Sequence, residues 1–285
     1  SYNYIIMKNI ESIFNEWLND EETKKKNLSD ISIKNYTRTA NNLPFGILNG
    51  QQTLIKKLKE NYENPNTRAT YLNMVIMLRK YKDKDVDKLI KYRNDMKKEI
   101  ETLRKEKLKD SKDELPTIEH LNKNLEHLEG LKYIINYLFI NYGFRNKDIN
   151  LKYVDELPED KPENYMVEVN KGVKLSINDY KTDKQYGEKV FFIRDSKFMK
   201  ELRKLKLKDG DYLISSPSGK KYSISNFNDI ILKYSIDQLG ETNIFKILMK
   251  DLIDKKDYKK IEELSVSRGT SLQTLIRSYN VYNNK

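Results

Sequence analysis

Apolar residues recur at helical spacing along most of the chain. Ile10, Ile13, Phe14, Trp17 and Leu18 predict a short amphipathic helix over residues 8–18, followed by a charged loop over 19–27. Leu28-Ser29-Asp30-Ile31-Ser32 offers N-caps for a helix carrying Ile33, Tyr36, Thr37 and Ala40. Lys34 and Arg38 are four apart and share a face of that helix. A loop from Pro44 to Gly50 and a helix around 53–60 come next, then a turn and cap at Asn64-Pro65-Asn66-Thr67. The helix that follows is strongly apolar through Leu78 and has Arg68 in its first turn. The helix dipole favours an acid there, so a basic residue suits a phosphate contact better. Val86 to about Leu108 reads as one long charged helix with Leu89, Ile90, Met96, Ile100 and Leu103 on its buried stripe. With no strand signal among these segments, residues 1–110 predict an all-α domain. Residues 104–116, dense in charge and ending at Pro116, predict a linker.

Beyond Pro116 the pattern changes. Thr117-Ile118-Glu119 starts one helix and residues 124–141 make another, ending at Gly143. Residues 165–169 and 173–177 alternate in polarity around Asn170-Lys171-Gly172, a hairpin signal, and 189–193 reads as a third strand after a turn at Gln185-Tyr186-Gly187. Helices are predicted over 196–205, 223–236 (capped by Ser223 or Ser225), 244–253, 258–265 and 272–279, with a short extended piece at Tyr212-Leu213-Ile214. The predicted fold class is mainly α with a small antiparallel β-sheet (α+β). It divides into a helical domain over 1–110 and a mixed domain over 111–285.

Composition narrows the function. The 285 residues carry 54 Lys+Arg against 43 Asp+Glu, a net charge of +11. A surplus of that size points to a polyanionic partner, most often nucleic acid, although an AT-rich genome also favours lysine. No cysteine is present, which excludes disulfides, thiolate zinc sites and a cysteine nucleophile. His120 and His127 are the only histidines, and no multi-histidine metal centre is expected. No apolar run approaches the ~20 residues of a membrane span, and no signal-peptide pattern opens the chain. A soluble, intracellular protein is expected.

Two stretches carry more specific information. Near the C-terminus, Gly269-Thr270-Ser271 is followed by Tyr279, nine positions after Thr270. Upstream, an apolar helix runs into Gly143-Phe144-Arg145, with Asp148 three positions on. The first stretch resembles the end of a tyrosine recombinase (phage-integrase family) catalytic domain, where Gly-His-Ser precedes a nucleophilic tyrosine by the same interval. The second resembles that family's first arginine box. The segment around Tyr36 resembles the opening helix of its core-binding domain, in which the tyrosine packs inward.

The resemblance implies a helical N-terminal core-binding domain and a catalytic domain closing as a clamp on double-stranded DNA. Tyr279 would be the nucleophile, with Tyr282 as a near competitor. A phenol's pKa of about 10 means that it needs cations beside it. Arg145 would clamp the scissile phosphate. Lys181, in Lys181-Thr182, would protonate the leaving sugar oxygen, with Lys184 as the alternative. The family's His-x-x-Arg is matched here by Asn243-Ile244-Phe245-Lys246, which keeps a cation but loses the bidentate fork. Thr270 stands where the family has histidine; its hydroxyl could donate to a phosphate oxygen, and Arg268 could restore the missing charge.

Catalysis would then rest on Tyr279, Arg145, Lys181, Lys246 and Thr270, without cofactor or metal. DNA contacts would come from Arg268, Asn243, Lys184, Lys34, Arg38 and Arg68. The activity implied is site-specific strand cleavage and rejoining through a 3′-phosphotyrosyl link by a homo-tetramer assembled on DNA. The Tyr/Lys/Asn-rich style looks like the integrase-like proteins of large eukaryotic DNA viruses and mobile elements, which would place the protein in a host nucleus or cytoplasm. Three other classes compete. A type I topoisomerase would relax supercoils as a monomer, a degenerate member would bind DNA without a covalent product, and a helical scaffold would bind no DNA.

Overall fold

The computed structural model describes residues 2–24, 28, 30–110 and 115–279; the side chains of residues 2–9, 31, 104, 105, 107–110, 185, 224, 225 and 277–279 lie outside that description. The chain divides into two compact units, Ser1–Lys107 and Leu108–Lys285.

The first unit is helical: α1 (Tyr2–Asn19), α2 (Glu21–Lys24), α3 (Asp30–Asn41), α4 (Gln51–Asn61), α5 (Pro65–Tyr81) and α6 (Asp87–Asp110). The Asn64 side chain caps α5 by accepting from the N–H groups of Asn66 and Thr67, and Pro65 stands at the first helical position, where its missing N–H is harmless. The core gathers Phe14 and Trp17, Ala40, Leu54 and Leu58, Leu72, Val75 and Leu78, and Leu89 and Met96. Each of the larger aliphatic and aromatic side chains, fully buried, contributes ~1.5–3 kcal/mol. Arg79 is buried beneath the loop before α4. Its guanidinium donates to the carbonyls of Ile47 (2.7 Å), Asn49 (2.8 Å) and Asp85 (3.0 and 3.1 Å), so one side chain holds that loop in place.

Four expectations are corrected in this unit, the first being the charged loop over 19–27, of which Glu21–Lys24 forms α2. Tyr36 is 37% exposed and meets Trp17 only edge-on, while Ala40 takes the inward position. The buried stripe of α6 ends at Met96, and Leu103 is 40% exposed, because the helix runs on past the core that its first half covers. Residues 104–110 continue α6, in keeping with the helix read to about Leu108 and against the linker read from 104 onward. Their Lys, Arg, Glu and Leu residues are good helix formers, and high charge does not break a helix by itself.

The second unit begins with α7 (Ile118–His127) and α8 (Gly130–Tyr142). The Thr117 hydroxyl accepts from the His120 N–H and caps α7. The single helix read over 124–141 breaks at Leu128 and Glu129, both extended. Helix α8 is the central one; Tyr133–Asn136 and Leu138–Ile140 are all buried. A four-stranded sheet follows from β1 (Leu151–Tyr153), β2 (Asn164–Val169), β3 (Gly172–Ile177) and β4 (Lys189–Ile193), in the order β1-β2-β3-β4. The three strands legible in the sequence are antiparallel, but β1 joins β2 in parallel, so the sheet is mixed. Three residues are too few to show a period of two, which is why β1 left no signal. The register Val173↔Ile193, Leu175↔Phe191, Ile177↔Lys189 puts Lys189 on the core-facing side.

Helix α9 (Asp183–Tyr186) lies between β3 and β4, and α10 (Ser196–Lys204) and α11 (Ile224–Tyr234) come after the sheet. Helices α12 (Glu241–Asp254), α13 (Tyr258–Arg268) and α14 (Leu272–Tyr279) complete the unit. Phe198 and Leu202, Ile244 and Phe245, Ile261 and Leu264, and Leu275 all join one core with α8 and the sheet. The architecture is mainly α with a small four-stranded sheet. Among the described residues, no helix is long and apolar enough to cross a membrane.

Candidate active site

Arg145 is placed by the end of α8. Gly143 closes that helix in the left-handed conformation, φ +62°, and a Cβ there would come within 2.8 Å of the Phe245 ring and 3.1 Å of Leu264. Phe144, 2% exposed, anchors the next residue in the core. The backbone N–H of Arg145 donates to the Asp148 carboxylate at 2.8 Å, closing the turn. Burial pushes the Asp148 carboxyl up, against the opposing pull of the Arg145 N–H and the Arg145 charge. The N–H of Asn146 donates to the Glu241 carboxylate, which docks the start of α12 on the same turn. The Arg145 guanidinium reaches the turn between α13 and α14, where it donates to the Arg268 carbonyl and, at 3.0 Å, to the Thr270 hydroxyl.

That turn depends on Gly269, which ends α13 with φ +56° and ψ +50°. A Cβ at this position would lie 2.9 Å from the Lys189 amine and 3.1 Å from the Tyr180 ring, and closer still to the Thr182 hydroxyl. Glycine is required twice over, by conformation and by space. Thr182 donates to the Gly269 carbonyl at 2.9 Å. Ser271 opens α14, accepting on its hydroxyl from the N–H of Thr274 at 3.2 Å.

Lys189 lies beneath this turn, 8% exposed. Its ammonium donates to the Ser267 carbonyl at 2.9 Å and sits 3.5 Å from the centroid of the Tyr180 ring. Burial pushes the amine down to about 8; the Asp148 carboxylate works against the shift and the Arg145 charge adds to it. Tyr180, 1% exposed, has its phenol pushed up by burial, first of all, and by the carboxylates of Asp183 and Asp148.

The residues expected to act together are distributed as follows. Arg145 and Thr270 meet. Thr182 joins the same turn, and its neighbour Lys181 is exposed on the loop, as is Lys184 on α9. Lys246 and Asn243 pair with each other at 3.3 Å on α12. Arg268 is 5% exposed; its guanidinium faces Glu241 at 3.3 Å and stacks 3.8 Å from the Phe245 ring. Arg68 donates to the carbonyls of Tyr62 and Glu63 (both 2.9 Å) and to the Tyr92 hydroxyl (3.3 Å), as an internal brace. Lys34 and Arg38 are exposed on α3. Tyr279 ends α14, but its side chain lies outside the described residues, as does the whole of Tyr282.

Lys189, Tyr180 and Glu241 did not emerge from the sequence. Lys189 had a signal: alternation along β4 sets it on the same side as Phe191 and Ile193, an unusual place for an amine.

No family model matches the chain, and no curated protein matches it. Among solved structures it is similar to one described as the crystal structure of XerA recombinase, with a TM-score of 0.38 and 14% identity over 98% of this chain and 94% of that one. A likeness of that size does not define a family.

Proposed function

We propose that this chain cleaves and rejoins DNA by the chemistry of a tyrosine recombinase. The observation that carries the reading is the junction of Arg145 with the Arg268-Gly269-Thr270 turn. Two motifs singled out for phosphodiester chemistry, 125 residues apart, come into direct hydrogen-bond contact. The turn leads straight into α14, the helix that ends at Tyr279.

In this mechanism the Tyr279 oxygen attacks a DNA phosphorus and gives up its proton to solvent water. A 3′-phosphotyrosyl bond forms as the bond to the 5′-oxygen breaks, and Lys181 supplies the proton to that oxygen. Arg145 and the Thr270 hydroxyl stabilise the charge gathering on the non-bridging oxygens. Lys246 adds a second cation. Attack by the 5′-hydroxyl of another strand reverses the chemistry and exchanges partners. One phosphodiester is exchanged for a phosphotyrosyl ester and back, so no nucleotide cofactor is consumed. The net charge of +11 supports a duplex DNA partner, with Lys34 and Arg38 among the phosphate contacts and four copies assembling on two duplexes.

A second reading, a member that binds DNA and has lost rate, draws on Arg268. That guanidinium is already paired with Glu241, so it does not replace the charge of the histidine that Thr270 displaces.

A nicked suicide duplex distinguishes the two. After cleavage the short fragment diffuses away and religation is blocked, so the active enzyme accumulates a covalent adduct on a denaturing gel. Wild type should form it and Tyr279→Phe should not, with duplex binding retained. Binding without any adduct selects the second reading, and an adduct that survives Tyr279→Phe moves the nucleophile to Tyr282.

A further inference from the structure

Asn164 opens β2 and is 2% exposed. Its carboxamide nitrogen donates to the carbonyls of Lys147 (3.1 Å), Asp148 (3.4 Å) and Asp179 (3.0 Å). Its oxygen accepts from the N–H groups of Asn178 (2.8 Å) and Asp179 (2.7 Å). Two N–H groups facing three carbonyls means that one is shared between the neighbouring carbonyls of Lys147 and Asp148. The whole hydrogen-bonding capacity of the side chain is thus engaged by two loops, one following Arg145 and one leading to Thr182. At the surface Lys147 and Asp179 pair at 2.5 Å and join the same two loops again.

Each loop then reaches the α13–α14 turn on its own. Arg145 donates to Thr270, and Thr182 donates to the Gly269 carbonyl. The hydrogen bonds close a ring: Asn164 to the Asp148 loop, Arg145 to Thr270, Gly269 to Thr182, and the Asp179 loop back to Asn164. We propose that Asn164 is a positioning residue: its carboxamide sets the spacing between Arg145 and Thr182, and through them seats the turn that feeds α14.

Only a carboxamide satisfies both loops. An aspartate keeps the acceptor toward Asn178 and Asp179 but sets a carboxylate against three carbonyls, close to buried Asp148. An alanine leaves five backbone groups without this partner inside the fold. The catalytic consequence rests on the reading of Arg145 as a phosphate clamp; the structural consequence does not.

Asn136 provides a matched control. It is 0% exposed, donates to the carbonyls of Lys132 (2.7 Å) and Tyr234 (2.9 Å) and accepts from the Ile236 N–H (2.9 Å), away from the ring. The test compares full-length wild type, Asn164→Ala, Asn164→Asp and Asn136→Ala by amide hydrogen exchange and by adduct formation on the nicked duplex.

In Asn164→Ala, exchange should rise by about tenfold or more in 145–150, 178–182 and 269–271 together. Adduct formation at saturating protein should fall ~10²-fold while duplex Kd moves less than about threefold. Asn136→Ala should lower the thermal midpoint comparably, leave those three segments protected and keep the adduct rate within about twofold. If Asn164→Ala does not fold, Asn164→Asp decides: exchange should rise in 145–150 and 269–271 and stay low in 178–182. Exchange rising in 178–182 alone, or no more in any of the three segments than in Asn136→Ala, overturns the proposal. So does an adduct rate that falls no further than in Asn136→Ala. A wild type that forms no adduct defeats the strand-transfer reading instead, and the exchange pattern still decides the role of Asn164.

Discussion

The guanidinium of Arg145 donates a 3.0 Å hydrogen bond to the hydroxyl of Thr270. A guanidinium offers several coplanar N–H groups, and an ammonium offers a compact point charge. Arg145→Lys should therefore lower the rate of adduct formation about 10²-fold or more, with duplex affinity falling much less. Thr270→Val removes the acceptor at nearly constant volume and should cost roughly tenfold. The double variant should be less impaired than the product of the two, because both substitutions break the same hydrogen bond. Single-turnover rates on the nicked duplex check this; independent effects would disconnect the pair.

Gly269 is the most demanding position in the site. Gly269→Ala forces a side chain into the left-handed region and against the Lys189 amine and the Thr182 hydroxyl. A loss of roughly 2–4 kcal/mol is expected from conformation and overpacking together. Gly187 has open space around it but stands at φ +67° and ψ −159°, a conformation essentially confined to glycine, so the same change there should cost roughly 1–3 kcal/mol from conformation alone. Urea denaturation of the two variants measures the difference.

Lys189 makes stability depend on alkaline pH. Its folded pKa, about 8, lies below its ordinary value of 10.5. Between those values the unfolded chain binds more protons than the folded one, so stability rises with pH. The burden of the buried charge is fully present below pH ~8 and is relieved as pH climbs toward ~10. Buried tyrosines such as Tyr180, pushed up by burial, act in the opposite sense above pH ~10, where unfolding lets them ionise. Lys189→Met should accordingly lose the upward trend between pH 8 and 10, a difference of up to about 3 kcal/mol. Parallel pH profiles for the two proteins would show that the amine is not burdened by burial.

Salt dependence separates exposed cations from internal ones. Removing Lys34 or Arg38 should make the slope of log K against log salt shallower by about 0.9 for each phosphate that is no longer neutralised. Arg268→Ala should leave that slope unchanged and lower stability instead, because it takes the cation from Glu241, leaving that carboxylate the Asn146 N–H, and removes the stack on Phe245. A shallower slope for Arg268→Ala would mean that its guanidinium leaves Glu241 for DNA.

Much of the architecture was legible locally. The Asn64-Pro65 cap, the glycine closing α8, the β2–β3 hairpin and the late helices each depend on a few neighbouring residues, and period and punctuation report those well. The last turns of α6 were read both as helix, to about Leu108, and as linker, because charge density signals solvation and says nothing of backbone conformation. Strand β1 was missed because its three residues are specified by a partner thirteen positions further on.

What the chain's own order of residues determined is the set of elements and two motifs, Gly143-Phe144-Arg145 with Asp148 and Gly269-Thr270-Ser271. Those follow from short-range rules: a glycine permits a left-handed turn, a carboxylate three positions on caps it, and apolar spacing selects the buried face. Only tertiary structure decided which charges are available. Arg68 and Arg268 look like free cations in the sequence, yet one is held by backbone carbonyls and the other by Glu241. Lys189, by contrast, passed as an ordinary strand residue and lies under the turn between α13 and α14. A side chain's charge is written in its identity; its partners, its hydration and therefore its chemistry are set by residues tens of positions away that folding brings within reach.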